Sequence, residues 1–383
     1  MNNRVMIRVA FDGLLFSDQK IGIVNYIHYI IMEFIKRDDP NFSITVYIDE
    51  KYINRFSNDS KNVKFSPIKI NSRIQRFSKQ YLLAFELKDK YDILISPDYP
   101  RTLFLNQHTR SIVVIPDVSI HKRRYDYTFF RYLSKKIGYY WAIYKADAIL
   151  TYSKSVANDI REFYPSLHKD KIATIWVGIS PQFFDHTLIE QDRIVSVKGV
   201  YKLPDNFFLF VGTIMPRKNL IGVLKAFEIV YKRIPQDLVV VGAKGWKYDE
   251  IFTFLDKSLI KNRVHFVGFV DDNDLPAIYK QAQFLIFPSF DEGFGIPIVE
   301  AFSVGCPVIT SNCSSMKEIA EGYSILVDPN SEIQIASAIE SLCTRQEEID
   351  RYRILSLKAS ERFSWHTTAE QTLRLIQDVF PDR

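Results

Sequence analysis

Residues 284–300 read Phe-Leu-Ile-Phe-Pro-Ser-Phe-Asp-Glu-Gly-Phe-Gly-Ile-Pro-Ile-Val-Glu, and this stretch decides how the surrounding chain folds. The apolar run at residues 284–287 predicts a buried strand, and the apolar residues at 296–304 predict a helix. Pro297 suits the first helical turn, where its missing N–H is not needed. The sequence therefore predicts a strand, a glycine turn and a helix in succession.

Two carboxylates, Glu292 and Glu300, flank the glycine turn of this element. A helix start offers unpaired N–H groups and the positive end of the helix dipole, which suit an anionic ligand. We expect Glu292 at the rim of such a pocket and Glu300, about one turn into the helix, facing the same space. Carboxylates accept hydrogen bonds from the hydroxyls of a sugar or a ribose. The alternative is an ordinary strand-to-helix turn that carries two solvated glutamates.

Short apolar strands alternate with helix-length amphipathic segments throughout the 383-residue chain. This alternation predicts an α/β protein whose parallel sheets have helices on both faces. The chain is too long for one ordinary core, and polar, turn-rich sequence around residues 180–205 separates its halves. We expect two Rossmann-like, doubly wound domains facing across a cleft, at residues 1–190 and 200–363. The predicted strands lie at residues 5–11, 43–48, 92–96, 112–116, 148–152, 172–177, 207–211, 238–241, 264–267, 284–287, 307–310 and 324–327.

The loops that follow the strands are the candidate binding segments, because ligands of doubly wound sheets bind beyond the carboxyl ends of the strands. One such loop in the second half begins with Gly212 and Thr213 and brings Arg217 and Lys218 to the rim of the predicted cleft. Two adjacent cations suit a diphosphate. An ordinary helix-entry turn with exposed cations would have the same pattern.

Further candidate contacts follow other strands. In the second half, exposed backbone at Gly268, with Phe269 as an apolar lid, suits a nucleobase. In the first half, the glycine-flanked loop that ends at Gly22 would present its amides to the cleft, because glycine lets backbone approach a ligand. Asp117 follows a strand and is a candidate polar contact for a sugar or an incoming hydroxyl. An aspartate at a strand end is also a common turn or helix cap, and both interpretations are kept.

The formal net charge of +5 conceals an asymmetry between the halves. Residues 1–185 hold 28 Lys and Arg against 19 Asp and Glu, a balance of +9, and the remainder holds 22 against 26, a balance of −4. Basic and aromatic residues interleave at residues 121–141 and again at residues 73–81. Such segments bind anionic membrane surfaces or nucleic acid, unless they are solvated helix faces whose aromatic side packs in the core.

The sequence contains no apolar run of 18 or more residues, so we expect no membrane-spanning helix. The amino terminus lacks the apolar core of a signal peptide. The cysteines Cys306, Cys313 and Cys343 do not have the spacing of metal ligands or of a disulfide framework, which indicates packing residues in a reducing cytoplasm. We therefore expect a cytoplasmic protein that is peripheral to the inner face of the cytoplasmic membrane.

The order of these segments resembles glycosyltransferase family 4, whose members are retaining nucleotide-sugar enzymes of the GT-B architecture. The resemblance runs from about residue 11 to residue 375, and it is highly specific because several motifs occur together in order. It is carried by residues 207–213 with 216–220, 264–270, 288–301 and 363–365. In this family the last helix usually crosses back to the first domain, which implies that residues 364–383 pack on the N-terminal domain.

The resemblance also implies a role for each matched position. Glu292 would hydrogen-bond the hydroxyls of the donor sugar, and Glu300 would hold the ribose. Lys218 with Arg217 would bind the diphosphate and offset charge on the departing nucleotide, so that neither a metal nor a cofactor is required. The backbone amide of Phe294 and that of the next residue would support the sugar and the phosphates. The implied donor-binding set is completed by Gly212, Thr213, Gly268, Phe269, Gly293, Gly295, Ile296 and, from the first domain, Gly22.

Two positions depart from the family pattern. Thr213 stands where many relatives have an arginine directly after the phosphate-loop glycine, as in a subgroup that shares the sequence Pro-Arg-Lys-Asn. Pro116 stands where many relatives have a histidine, so a catalytic histidine is not expected at that place, although His121 is nearby. Asp117, directly after this proline, is kept as a candidate catalytic residue.

The resemblance implies transfer of a hexose from a nucleotide-diphospho-sugar to a lipid-linked oligosaccharide in O-antigen or capsule assembly. GDP-mannose is the first expectation for the donor, with UDP-hexoses and dTDP-rhamnose as alternatives. The basic first half would then contact an anionic membrane surface, and nucleic acid would not be bound. The competing interpretations are a GT-B epimerase or hydrolase of UDP-sugars and a nucleic-acid-binding protein that uses the basic-aromatic segments. Thermal protection by nucleoside diphosphates or by polynucleotides distinguishes an enzyme from a nucleic-acid-binding protein.

Overall fold

The computed structural model describes residues 6–17, 22–57, 59–72, 75–76, 78–80, 83, 87, 90–97, 109–122 and 128–380. The chain divides into two compact units, Met1–Gly178 with Ser364–Arg383, and Ile179–Phe363. Arg73, Arg123 and Arg124, which belong to the basic-aromatic segments of the sequence, lie outside the described residues.

The first unit is built on a parallel sheet, in which seven strands of the described part have the order β3-β2-β1-β4-β5-β6-β7. The strand order runs outward from β1 in one direction and then from β4 in the other, which is the doubly wound arrangement. The strands are β1 (Ile7–Asp12), β2 (Phe42–Asp49), β3 (Val63–Ile68), β4 (Ile93–Pro97), β5 (Arg110–Ile115), β6 (Ala148–Thr151) and β7 (Ile172–Thr174). Helices of its described part include α1 (Gly22–Arg37), α2 (Ser119–Lys122), α3 (Phe129–Lys145) and α4 (Lys154–Phe163).

The second unit repeats this arrangement with a parallel sheet of order β10-β9-β8-β11-β12-β13. Its strands are β8 (Phe207–Val211), β9 (Asp237–Val241), β10 (Val264–Gly268), β11 (Leu285–Phe287), β12 (Val308–Ser311) and β13 (Ile325–Val327). Its helices are α5 (Gln191–Tyr201), α6 (Leu220–Val230), α7 (Asp249–Lys257), α8 (Leu275–Gln281), α9 (Ile296–Ser303), α10 (Ser314–Ala320), α11 (Glu332–Thr344) and α12 (Gln346–Ser360).

The central strands of the second unit are apolar along their whole length because both faces of a parallel sheet are covered by helices. Phe208 and Phe210 of β8 are fully buried, and the Phe208 ring stacks on Phe284 with centroids 5.2 Å apart. β11 lies between β8 and β12. The element around Glu292 therefore begins in the middle of this sheet, at its carboxyl edge.

The last helix, α13 (Trp365–Val379), belongs to the first unit and packs on α1. The Thr368 hydroxyl donates to the Trp176 carbonyl over 2.7 Å. Gly178 lies against the start of this helix, and a Cβ at that position would come within 2.3 Å of the Trp365 nitrogen. Only a residue without a side chain fits at this contact.

The predicted α/β class and the two doubly wound sheets are confirmed, with one strand missed. β3 is an edge strand that pairs with β2 alone and contains Pro67, a residue that argues against a strand in the sequence. The boundary between the units also lies earlier than the sequence indicated, because residues 179–190 belong to the second unit. Phe183 from this segment packs edge-on against Tyr279 of α8, with ring centroids 5.7 Å apart.

Candidate active site

The turn between β11 and α9 has the geometry that its glycines permit. Gly295 precedes the helix with φ at +111°, and a Cβ there would approach the Ile319 side chain to 3.1 Å. A residue with a side chain would be strained in this conformation. Pro297 occupies the first turn of α9, as predicted. The turn places Glu292 at the carboxyl end of the sheet with 8% of its surface exposed.

The loop after β8 carries the two cations of the site. Pro216–Lys218 forms a single 3-10 turn, and Asn219 follows in the left-handed conformation with φ at +58°. The side chains of Arg217 and Lys218 are both mostly buried. Gly212 at the start of the loop lies beside the Lys218 side chain, which a Cβ would contact at 3.6 Å.

Arg217, Lys218 and Glu292 form a buried ion cluster. An Arg217 Nη1 atom lies 2.8 Å from Glu292 Oε2, and Lys218 Nζ lies 2.7 Å from Glu292 Oε1. Burial alone would raise the pKa of Glu292, but the charges of Arg217 and Lys218 outweigh it and hold this pKa below its ordinary value. The Lys218 ammonium also lies 4.6 Å from the centre of the Phe287 ring. The single carboxylate of Glu292 thus neutralises one of the two positive charges of the cluster.

Backbone and side-chain hydrogen bonds join the loop after β8 (residues 212–219), here called the cation loop, to the loop after β11 (residues 288–295), here called the Glu292 loop. The Phe290 N–H donates to the Arg217 carbonyl over 2.9 Å, and Arg217 Nη1 donates to the Asp291 carbonyl over 2.5 Å. The buried amide of Asn219 donates to the carbonyls of Pro288, at 3.1 Å, and Pro329, at 2.7 Å. Asn219 therefore fixes the two cations that precede it against two other loops.

Two serines hold the Glu292 backbone from the other side. The Ser315 hydroxyl donates to the Glu292 carbonyl over 2.8 Å, and the Ser314 hydroxyl lies 3.0 Å from both that carbonyl and Asp291 Oδ1. Ser314 begins α10 with φ at +55°. In the sequence, Asn219 was recognised only as part of the Pro-Arg-Lys-Asn motif and was given no role, and neither serine was predicted. The signal for Asn219 was an asparagine directly after the cation pair, since asparagine tolerates the left-handed region.

Glu300 is buried like Glu292 but lies in a different electrostatic environment. Its Oε2 atom accepts a hydrogen bond from the Tyr279 hydroxyl over 3.0 Å. Burial raises the pKa of Glu300 to about 8, and the charge of Asp272 adds to the rise while that of Lys218 opposes it. The pKa values of the two buried carboxyl groups, Glu292 and Glu300, are therefore shifted in opposite directions.

Three neighbouring strands of the second sheet end in glycines that touch one another. The Gly212 N–H donates to the Val241 carbonyl at 2.9 Å, and the Gly242 N–H donates to the Gly268 carbonyl at 2.8 Å. A Cβ on Gly242 would lie 2.0 Å from the Gly212 carbonyl oxygen, so no larger residue fits there. Phe269 follows with 70% of its surface exposed. These strand ends present backbone and one exposed ring at the carboxyl edge of the sheet.

The remaining residues of the predicted donor set belong to these same loops. Thr213 is exposed, while Gly293 and Ile296 are half-buried. Phe294 is buried, with its ring centroid 5.9 Å from that of Phe363. The predicted donor-binding residues of the second unit therefore lie at one edge of its sheet. Gly22, the remaining predicted donor-binding residue, belongs to the first unit.

The candidates of the first unit have structural partners. Asp117 Oδ1 accepts from the Ser119 N–H at 3.0 Å and from the Ser119 hydroxyl at 2.6 Å, which is the arrangement of an Asx turn. His121 Nε2 lies 2.8 Å from the Tyr164 hydroxyl, its ring stacks on Phe163, and burial lowers its pKa. Gly22 is the exposed first residue of α1, and residues 18–21 of the glycine-flanked loop lie outside the described residues.

No helix among the described residues is long and apolar enough to cross a membrane. Across the same ranges, no group of three or more His, Cys, Asp and Glu residues is placed to hold a metal ion.

Residues 194–356 match the family described as Glycosyl transferases group 1. This range contains the cation loop, the Glu292 turn and the glycine strand ends. These residues of the chain form a group 1 glycosyl transferase domain, and over this range the resemblance to a glycosyltransferase is confirmed.

Two relatives of known name are similar to this chain over part of its length. O-antigen chain mannosyltransferase B of Escherichia coli is 31% identical over 252 residues, which cover 63% of this chain and 63% of that protein. The serotype-specific mannosyltransferase WbdA of Escherichia coli is 29% identical over 243 residues, which cover 61% of this chain and 29% of WbdA. The chain thus spans less than two thirds of the length of these curated relatives.

A solved structure shows the same fold. The crystal structure of HepE from Anabaena in complex with UDP-glucose matches with a TM-score of 0.71 at 16% identity, and the match covers 97% of this chain and 100% of HepE. The chain has the GT-B fold that the sequence predicted.

Proposed function

We propose that the protein transfers a hexosyl group from a nucleoside-diphospho-sugar to an oligosaccharide acceptor of surface-polysaccharide assembly. The observation that carries this proposal is the buried cluster of Arg217, Lys218 and Glu292 inside a group 1 glycosyl transferase domain. Two cations beside one carboxylate leave a net positive charge, which suits a diphosphate. The Escherichia coli relatives are named mannosyltransferases, so GDP-mannose is the first donor to test.

In the proposed reaction, the donor diphosphate binds Arg217 and Lys218 and takes over contacts that these cations make with Glu292. Lys218 and Arg217 stabilise the negative charge that develops on the leaving diphosphate, which a metal ion would otherwise do. Glu292 then accepts hydrogen bonds from hydroxyls of the sugar, while Glu300 accepts those of the ribose.

The proposed stereochemistry is retention at the anomeric carbon. The acceptor hydroxyl attacks from the face that the diphosphate leaves, so one carbon–oxygen bond breaks and another forms on the same side of the ring. The hydroxyl proton passes to the departing phosphate oxygen. Groups of the second unit orient and neutralise the phosphate, and the step requires no further co-reactant.

We propose a lipid-linked oligosaccharide as the acceptor and the inner face of the cytoplasmic membrane as the location. The relative with 31% identity is named for an O-antigen chain, which supports an acceptor of this class. The excess of basic residues in the first half supports contact with an anionic lipid surface.

The test is slow donor hydrolysis by the full chain across GDP-mannose, UDP-glucose, UDP-galactose and dTDP-rhamnose, with the released nucleoside diphosphate measured by chromatography. We expect GDP-mannose to be hydrolysed fastest, at a rate that EDTA does not change, and we expect the sugar that is first released to keep the anomeric configuration of the donor. Thermal protection by polynucleotide, without protection by any nucleoside diphosphate, would refute the proposal. Formation of a free epimerised sugar would instead indicate an epimerase.

A further inference from the structure

Helix α3 of the first unit turns an apolar face towards the solvent. The exposed fractions of its residues are 62% for Phe129, 43% for Leu133, 50% for Ile137, 51% for Tyr140 and 40% for Trp141. These positions recur at intervals of three or four residues, so they lie on one side of the helix. We call these five residues the α3 stripe. Along the helix it is about 18 Å long, from the rise of 1.5 Å per residue.

The opposite face of α3 is fixed in the core of its unit. Tyr139, Ala142 and Ile143 are buried in one cluster with Ile115 and Ile149 from the neighbouring strands. The helix is therefore held in place by its own core face, and the α3 stripe is an additional apolar surface. One interpretation of the sequence was that the aromatic side of this segment packs in the core. This interpretation is correct for Tyr139 but not for the exposed residues of the stripe.

Positive charge borders the α3 stripe. The helix Phe129–Lys145 contains four basic residues and no acidic residue. Lys136 and Lys145 are exposed, and the helical repeat places them on opposite sides of the stripe. Lysines in these positions can extend their ammonium groups to a polar boundary while their alkyl chains lie along an apolar one.

We propose that the α3 stripe is a docking surface for an anionic membrane. A helix of this kind lies in the plane of the interface, with its apolar side chains at the headgroup and acyl boundary and its lysines among anionic headgroups. Tyr140 and Trp141 have the amphipathic rings that favour this depth. The docking surface belongs to the first unit, whereas the cluster proposed to bind the nucleotide-sugar belongs to the second unit.

Charge and composition favour a membrane over other occupants. A second copy of the chain that paired stripe to stripe would bring two sets of lysines together without acidic partners on the helix. A nucleic acid would stack on the aromatic rings and contact the cations, but it would leave Leu133 and Ile137 without an apolar partner. A lipid surface satisfies both the aliphatic residues and the lysines.

Vesicle binding tests the apolar part of the proposal. The full chain is sedimented with vesicles of phosphatidylglycerol and phosphatidylcholine, and a Leu133→Ser, Ile137→Ser variant is compared with an Ile333→Ser, Ile354→Ser control that removes two exposed side chains of the second unit. We expect the stripe variant to lose about a hundredfold in partitioning, since each buried aliphatic side chain contributes about tenfold or more. We expect the control variant to bind like the unmodified chain, and unchanged melting temperatures show that both variants fold.

Charge neutralisation tests the choice of an anionic surface. A Lys136→Gln, Lys145→Gln variant is compared with a Lys257→Gln, Lys358→Gln control, whose lysines are exposed on the second unit. We expect about a fivefold loss for each stripe lysine on phosphatidylglycerol vesicles, no loss in the control, and weak binding of every form to pure phosphatidylcholine.

Each other outcome overturns the proposal. Stripe variants that bind vesicles like the unmodified chain, or equal binding to neutral and anionic vesicles, would do so. The proposal would also be overturned if the unmodified chain does not bind vesicles. In that case, a lower mass of the stripe variant in sedimentation equilibrium would indicate self-association through the stripe, and a lower affinity for polynucleotide would indicate nucleic-acid binding. The assay contains no nucleotide sugar, so its result is independent of the proposed transfer reaction.

Discussion

Polar residues that follow strands meet different partners in the two units. In the second unit, Glu292 after β11 joins Arg217 and Lys218 from the loop after β8 in a buried ion cluster. In the first unit, Asp117 after β5 bonds to Ser119, two residues further on. The local sequence pattern is similar in both places. The difference lies in whether opposite charges from a distant segment converge on the carboxylate.

The two carboxylates therefore have different energetic consequences. A buried charge is tolerated only when other charges and hydrogen bonds compensate for its lost hydration. Glu292 depends on two cations more than 70 positions away in the chain. Asp117 needs only a neighbouring N–H and hydroxyl. We infer that the Glu292 cluster is the reactive part of the molecule and that the Asp117 contact serves local structure.

Removing the carboxylate of the cluster should have the largest effect. Glu292→Ala leaves Arg217 and Lys218 mostly buried without their counter-ion, and we expect the free energy of unfolding to fall by about 3 kcal/mol. Donor hydrolysis should fall about tenfold to a hundredfold, because a charge-assisted hydrogen bond to the sugar is lost. Urea denaturation and chromatography of released nucleotide measure the two losses.

A matched control for this variant is Glu332→Ala, which breaks the half-exposed ion pair with Lys225. Exposed pairs contribute about 0–1 kcal/mol, so the control should keep both stability and hydrolysis. A Glu292→Ala protein with near-normal turnover would remove the distinction between the two strand ends.

Asn219 tests whether the cation loop must be held in place. Asn219→Ala loses two buried hydrogen bonds and strains a residue at positive φ, so we expect a loss of about 2–3 kcal/mol in the free energy of unfolding. Asn219→Gly keeps the backbone conformation and should lose less. The KM for the donor should rise in both variants when it is measured at a temperature at which both are fully folded. Equal stability of Ala, Gly and unmodified forms in urea denaturation would show that the loop needs no such anchor.

The raised pKa of Glu300 predicts that stability falls as the pH rises, which is the opposite direction to the effect of Glu292, whose pKa is lowered. Burial raises the pKa of Glu300 from 4.5 to about 8, so the folded state keeps a proton that the unfolded state releases. Its contribution to stability is complete below the unfolded pKa of 4.5 and is lost as the pH rises through about 8. The slope is at most about 1.4 kcal/mol per pH unit for one proton.

Glu300→Gln removes this titration, so its free energy of unfolding should change less over that pH range than that of the unmodified chain. Urea denaturation at a series of pH values measures the difference. Parallel curves for the two proteins would mean that Glu300 ionises normally in the folded state.

Asp117 should give the smallest effect. Asp117→Ala removes the acceptor for Ser119, and we expect a loss of about 1 kcal/mol in the free energy of unfolding. Asp117→Asn keeps an acceptor oxygen and should restore most of it. Donor hydrolysis should stay within about twofold in both variants, as expected for a loss that changes folding alone. A tenfold loss of hydrolysis in a stably folded Asp117→Asn protein would restore the catalytic role that the sequence suggested.

The sequence was sufficient for those features that repeat along the chain. Alternating apolar strands and helices predicted both sheets, because burial on two faces requires continuous apolar runs. The glycine turn before α9 was predicted because a proline and two glycines have specific backbone requirements. Strand β3 was not predicted because its sequence is not continuously apolar and contains Pro67, a residue that is uncommon in strands.

The remaining parts of the site depend on partners that are distant in sequence. Arg217 and Glu292 were each predicted to contact the ligand, but their contact with each other follows only from the sheet order, which brings β8 next to β11. The hydrogen bond from Tyr279 to Glu300 and the anchor from Asn219 to Pro329 likewise join different loops. Local pattern carries no information about such pairs.

The most direct measurement is calorimetric titration of GDP and guanosine, with UDP and uridine in parallel, into the unmodified chain, Lys218→Ala and Lys225→Ala. Lys225 lies on α6 of the same unit with 42% of its side-chain surface exposed, and it is the control. If the cations of the cluster bind the diphosphate, Lys218→Ala should weaken nucleoside diphosphate binding about tenfold to a hundredfold and leave nucleoside binding unchanged. Equal losses for nucleotide and nucleoside, or none for either, would contradict the account.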